Sequence, residues 1–219
     1  MIKNFIFDVD RTLVDSYKVE LETLREALRI VMNINYDLEI MNQLTILTTE
    51  EFFKKIGIDK NSDTMKAINY HWDRLLKEKT PKLFPEIKKL LEYLKETGCF
   101  LGIATSRTKE ELEELGELLE CIKLFNIVIT SDLIKEPKPN PESINIIIDK
   151  YALNKKETIY IGDSSSDQIA SSRAQIKFGF ASWENKNEVL NYDYKFESPK
   201  DIYKIISEVW LYEINCTGR

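Results

Sequence analysis

The stretch FIFDVDRTLVDS, Phe5–Ser16, decides how the rest of the chain is read. An apolar run of strand character stops at two aspartates, Asp8 and Asp10, one residue apart, and Arg11 follows at once. In an open parallel α/β sheet, ligands bind at the carboxyl ends of the strands. What the other strands end on therefore decides what these carboxylates do.

Four more short apolar runs follow: CFLGIA at Cys99–Ala104, NIVIT at Asn126–Thr130, TIYIG at Thr158–Gly162 and IKFGF at Ile176–Phe180. Their apolarity is continuous rather than alternating, which predicts strands buried on both faces, as in a parallel sheet. Helical patterns lie between them. FPEIKKLLEYLKETG puts Ile87, Leu90, Leu91 and Leu94 on one stripe, with Pro85 in its first turn and Gly98 as its stop. KEELEELGELLE, read as a solvated acidic face, and PESINIIIDKYAL repeat the theme. Strand–helix alternation predicts an α/β doubly wound parallel sheet, with a short edge strand and a closing helix in the tail YDYKFESPKDIYKIISEVW.

The segment from Tyr17 to about Thr80 has another character. Helical stripes such as VELETLREALRIV dominate it, and TTEEFFKKIG carries Thr48 or Thr49 as N-cap. This predicts a helical subdomain over 16–80 inserted into a core formed by 1–15 and 81–219, with hinges near Asp15–Ser16 and Lys79–Pro81. A chain of 219 residues with 43% hydrophobic and 31% charged content is globular in composition. Its formal charge of −6 argues against nucleic-acid and anionic-membrane partners, which demand a basic footprint. Cys99, Cys121 and Cys216 form no metal-ligand or CxxC pattern and read as reduced thiols. No signal-peptide pattern and no membrane-length apolar run is present, so the expected compartment is the cytoplasm.

The strand ends carry the chemistry. The first ends on Asp8 and Asp10, the second on Thr105, Ser106 and Arg107. The third leads into KEPKPNP with Lys138 between prolines, and the fourth ends on Gly162 and Asp163, with Asp167 four residues on. Carboxylates gathered on one rim repel one another unless a cation neutralises them. An oxygen-only ligand set, without His or Cys, specifies a hard ion, and Mg2+ fits best. Lys138 and Thr105 would hold the oxygens of a phosphoryl group, leaving one carboxylate as nucleophile and another as proton shuttle.

DVDRT, the strand-end Thr105, Lys138 in KPNP and GDSSSD resemble, in order, the four motifs of the haloacid dehalogenase superfamily. The helical insert resembles the C1 cap of phosphoglycolate phosphatase and β-phosphoglucomutase relatives. The resemblance implies that Asp8 attacks phosphorus and forms an aspartyl-phosphate, while Asp10 protonates the leaving oxygen and then activates water. It implies Mg2+ held by Asp8, the Asp10 carbonyl and Asp163, with Asp167 in support. Thr105, with Ser106 as competitor, would bind phosphoryl oxygens, and Lys138 would neutralise charge. Dehalogenation has no use for Asp10. The implied activity is a Mg2+-dependent phosphatase acting on a small phosphorylated metabolite, as a monomer or homodimer. The rivals are a phosphomutase of the β-phosphoglucomutase type and a catalytically silent binding module.

Three positions where such relatives usually carry glycine hold something else: Arg11, Ile46 and Gln175. Gln175 ends a helix, where a left-handed backbone favours glycine. Arg11 either points away from the site or meets a second anionic group of the substrate. Asp163 and Asp167 also read as helix N-terminal charges favoured by the dipole. His71 reads as structural, and Phe52, Phe53 and Trp72 as core rather than pocket lining.

Overall fold

The computed structural model describes residues 1–38, 41, 49–59, 61–184 and 191–206. Ile46, Thr48, Cys216 and the last residues of the expected closing helix lie outside them. The chain divides into two compact units, Met1–Asp15 with Lys82–Arg219, and Ser16–Pro81.

The second unit is helical: α1 is Ser16–Met32, α2 Thr49–Lys55 and α3 Asp63–Glu78. Ser62 caps α3, its hydroxyl accepting from the Met65 N–H at 3.1 Å, which satisfies one of the orphan donors of the first turn. α1 packs on α3 around Leu24, Leu28, Phe52, Phe53 and Ile68. Phe52 and Phe53 are buried there, edge to face at 5.2 Å, and Trp72 packs against the same cluster. These three are therefore core side chains of this unit. His71 is half-buried, its Nδ1 lacking a hydrogen-bond partner among the described residues.

The first unit is built on a six-stranded sheet: β1 Asn4–Phe7, β2 Phe100–Ala104, β3 Ile127–Ile129, β4 Thr158–Gly162, β5 Lys177–Ala181 and β6 Tyr194–Phe196. The order is β3-β2-β1-β4-β5-β6 and every neighbouring pair is parallel. All four residues of β1 and all five of β4 are buried, so these strands face protein on both sides. Phe5, Phe7, Leu101, Ile103, Ile159 and Ile161 point into one core. That core is closed by α4 (Ile87–Glu96), α5 (Lys109–Glu113) and α6 (Gly116–Ile122), through Leu90, Leu91, Leu94, Leu112 and Leu118. Ile6, Ala104 and Tyr160 point the other way. There α7 (Glu142–Tyr151) and α8 (Ser165–Ala174) cover them with Ile144, Ile147, Ala170 and Ala174. The result is a three-layer α/β doubly wound sheet.

Local details follow the chain's punctuation, with two departures. α4 stops as expected: Gly98 has φ +77, and the Cys99 N–H reaches back to the Leu94 carbonyl at 3.0 Å. Its start is later than the proline implies, because Glu86 takes a left-handed conformation (φ 71) and the first helical residue is Ile87. KEELEELGELLE is two short helices rather than one, broken before Gly116. A 3₁₀ turn at Pro199–Asp201 leads into helical residues 202–206, which bury Ile202 and Ile206 against the first core. Cys99 and Cys121 are free thiols, both pushed above the ordinary range by burial. Among the described residues no helix is long and apolar enough to cross a membrane.

Candidate active site

The strand order reverses direction between β1 and β4, and a doubly wound sheet opens its ligand crevice at such a switch point. Asp8 follows β1 directly and Asp163 follows β4 directly. The Asp8 N–H still donates to the Ile161 carbonyl at 2.8 Å, so the nucleophile candidate is held by the sheet ladder itself. The chain then turns tightly. The Val9 carbonyl accepts from the N–H groups of Leu13 (2.8 Å) and Val14 (3.0 Å), while Val9, Leu13 and Val14 are fully buried. That turn puts Arg11 in the left-handed region at φ +57, where glycine costs nothing and other residues are strained.

Lys138 reaches this point from the loop after β3. That loop is pinned by Glu142, whose carboxylate accepts from the Lys135 and Glu136 N–H groups at 3.1 and 2.8 Å. The ammonium donates to Asp8 Oδ1 at 2.6 Å, Asp167 Oδ1 at 2.7 Å and Tyr160 Oη at 3.0 Å. An ammonium has three N–H donors, so each has an acceptor. Tyr160, fully buried in β4, donates its own proton to the Ala104 carbonyl at 2.7 Å. Its hydroxyl thus ties the end of β2 and the middle of β4 to the lysine. Asp167 is a helix cap as well as a partner of Lys138: its Oδ2 accepts from the Ser164 N–H (3.1 Å) and hydroxyl (2.6 Å). Gly162 makes room for it, since a Cβ there would lie 2.7 Å from Asp167 Cγ.

The cluster carries more negative charge than it neutralises. Asp8, Asp163 and Asp167 are all buried and each offers an oxygen within 4.8 Å of the others, against one ammonium. Burial raises the Asp8 carboxyl to about 7; Lys138 pulls it back, while Asp167 and Asp10 push it further up. Burial likewise lifts Asp163 well above the carboxylate range, reinforced by Asp8 and Asp167 and opposed by Arg11 and Lys138. Burial works against the charge of Lys138, but Asp8, Tyr160 and Asp167 together outweigh it and hold the ammonium protonated. Two carboxyls strained toward neutrality, in an all-oxygen donor set, fit a hard divalent cation. Among the described residues Asp8, Asp163 and Asp167 are the carboxylates close enough to share one. Asp167 has both oxygens engaged by protein donors, which suits a supporting position.

Thr105, after β2, is buried, and its hydroxyl oxygen accepts from the Arg107 N–H at 3.2 Å. That bond uses an acceptor site of the hydroxyl and not its proton. Ser106 is exposed. Asp10 is half-buried and turned to Arg107, which donates through Nε to Oδ2 at 2.8 Å and through Nη2 to Oδ1 at 2.6 Å. Both side-chain oxygens of Asp10 are thus engaged by Arg107. Arg11 acts by its charge on Asp163. The strand-end residues Asp8, Lys138, Asp163 and Asp167 are thus brought together, with Asp10 and Thr105 linked through Arg107. Sequence reasoning gave no role to Arg107 or Tyr160. A tyrosine inside a strand buried on both faces was the available signal, because its hydroxyl must find partners.

The haloacid dehalogenase-like hydrolase family matches residues 5–181, and the chain belongs to it. It is similar to the pyrophosphatase PpaX of Oceanobacillus iheyensis, 25% identical over 213 residues that cover 94% of this chain and 98% of that one. Among solved structures it resembles a haloacid dehalogenase superfamily hydrolase, subfamily IA, from Geobacter sulfurreducens (TM-score 0.73, 21% identity, covering 93% of this chain and 96% of that one). It also resembles CbbY from Rhodobacter sphaeroides in complex with phosphate (TM-score 0.62, 20% identity, 91% and 95% covered).

Proposed function

We propose that this enzyme is a Mg2+-dependent phosphatase that hydrolyses a small phosphorylated metabolite through an aspartyl-phosphate on Asp8. The observation that carries the reading is the buried Asp8–Lys138–Asp167 bridge beside Asp163. Mg2+ held by Asp8, Asp163 and the Asp10 carbonyl would offset carboxylate and phosphoryl charge, letting the two approach. In the first step an Asp8 oxygen bonds to phosphorus, the bond from phosphorus to the leaving oxygen breaks, and the Asp10 proton passes to that oxygen. In the second, water gives a proton to Asp10 and attacks phosphorus, the Asp8–phosphorus bond breaks, and inorganic phosphate leaves. Lys138 keeps Asp8 oriented and offsets charge on the phosphoryl group, and the Thr105 proton goes to a phosphoryl oxygen. We assign residues 16–80 the role of the family's C1 cap.

The names of the curated relatives make inorganic pyrophosphate the first substrate to try, beside p-nitrophenyl phosphate as a generic ester. Asp8→Asn should abolish phosphate release from both, and chelation of Mg2+ should do the same to the wild type. Undiminished turnover by Asp8→Asn refutes the mechanism. Isomerised sugar phosphate without phosphate release would point to a mutase instead.

A further inference from the structure

The proposed roles leave Arg107 without one, although it makes the only paired side-chain contact found for the Asp10 carboxylate among the described residues. Both of its bonds are short and run to different oxygens of Asp10, 2.8 Å from Nε and 2.6 Å from Nη2. A planar guanidinium in this arrangement fixes the plane of the carboxyl group as well as its place, which a lysine cannot do. The pair is partly shielded, with the Arg107 side chain 23% and that of Asp10 31% exposed. Arg107 is itself fixed by its backbone: its N–H donates to Thr105 Oγ1 at 3.2 Å and its carbonyl accepts from the Ser131 N–H at 2.9 Å. The guanidinium that holds Asp10 is therefore built on the same turn as the hydroxyl assigned to the phosphoryl group.

We propose that Arg107 is the positioning residue for proton transfer by Asp10. The inference rests on the phosphatase reading above and deepens it. When Asp10 carries a proton, one oxygen becomes the hydroxyl that donates to the leaving oxygen, and the other keeps its bond to Arg107. When the proton has gone, both oxygens accept again and the fork closes as seen. At each stage at least one N–H of Arg107 keeps hold of the carboxyl group, so Asp10 does not have to find its place anew. Without Arg107, Asp10 keeps its chemistry and loses its aim.

The leaving group tests this. p-Nitrophenolate departs without needing a proton, whereas the alkoxide of glycerol 3-phosphate needs one. The parameter kcat/KM reports steps up to transfer of the phosphoryl group to Asp8, where Asp10 acts as the acid. Arg107→Gln should therefore lower kcat/KM for glycerol 3-phosphate by about 10²-fold, the order of a positioned general acid, and for p-nitrophenyl phosphate by less than about tenfold. Arg107→Lys, which keeps the charge without the fork, should fall between and guards against a folding defect. Asp10→Asn should show the same leaving-group bias, and adding Arg107→Gln to it should not enlarge the bias. Equal losses on the two esters, or a bias that doubles in the combined variant, overturn the proposal. A wild type that releases no phosphate from either ester overturns instead the phosphatase reading on which it rests.

Discussion

Asp8 should make the metal-free protein less stable as pH rises, and Mg2+ should reverse the loss. Its carboxyl titrates at about 7 in the fold against an ordinary value of 3.8. Between those values only the folded state keeps the proton, so the stability this group contributes is whole below 3.8 and drains away as pH rises through 7. The full loss is roughly 4 kcal/mol, of which about 1 kcal/mol falls between pH 6 and pH 8. For a chain of this size that last part is about 2–4 °C in Tm. Asp8 must be ionised to hold a cation, so apparent Mg2+ affinity should rise about tenfold over the same interval. Asp163, also raised, acts in the same direction. The assay is thermal melting at pH 6 and pH 8, in a chelator and in graded Mg2+, for the wild type and Asp8→Asn. The variant cannot ionise at this position. At pH 8 without metal it should be the more stable protein, by up to about 4 kcal/mol, while losing turnover. Equal or lower stability of Asp8→Asn at pH 8, with an undiminished Mg2+ shift, would refute the view of Asp8 as a buried charge awaiting a cation.

Lys138→Met keeps the length of the side chain and leaves Asp8 and Asp167 without their ammonium; the metal-free variant should lose about 3–5 kcal/mol in urea denaturation, with part regained in Mg2+. Its phosphatase kcat/KM should fall by at least ~10²-fold. Gly162→Ala sets a Cβ 2.7 Å from Asp167 Cγ, so the aspartate must move; the Mg2+-dependent rise in Tm and the turnover should both drop, and a variant with both intact would show the close approach to be harmless. Gln175→Gly should stabilise the protein by about 0.5–1 kcal/mol, because Gln175 is exposed and held at φ 62; its activity should equal that of the wild type.

The sheet was legible because a parallel strand covered on both faces reads as an unbroken apolar run. NFIF and TIYIG matched β1 and β4 residue for residue, and IKFGF was displaced by one, since Ile176 precedes the strand. The four motif ends were legible for the same topological reason: parallel strands put all their carboxyl ends on one rim. The glycine expected at position 175 was legible as a geometric question, and Gln175 at φ 62 answers it with a left-handed backbone; Arg11 at φ 57 takes the same conformation, which had not been anticipated. Pro85 misled because Glu86 inserts a left-handed residue before the helix, a tertiary choice that no local propensity announces.

Arg107 and Tyr160 were not legible, and the reason is physical. The bond from Arg107 to Asp10 joins positions 97 residues apart, and an arginine after a strand reads as a solvated side chain until its partner is known. Tyr160 lies in the middle of an apolar run, where its ring satisfies the pattern and hides its hydroxyl. The motifs mark strand-end groups, and these two stand one step behind, hydrogen-bonded to Asp10 and to Lys138. Their work is nevertheless set by the same topology. Tyr160 points from β4 to the end of β2 at Ala104, and Arg107 leaves the turn just beyond that end. β2 and β4 flank β1 on either side. The strand that carries Asp8 is thus bracketed by the two strands that orient its partners, Lys138 through Tyr160 and Asp10 through Arg107.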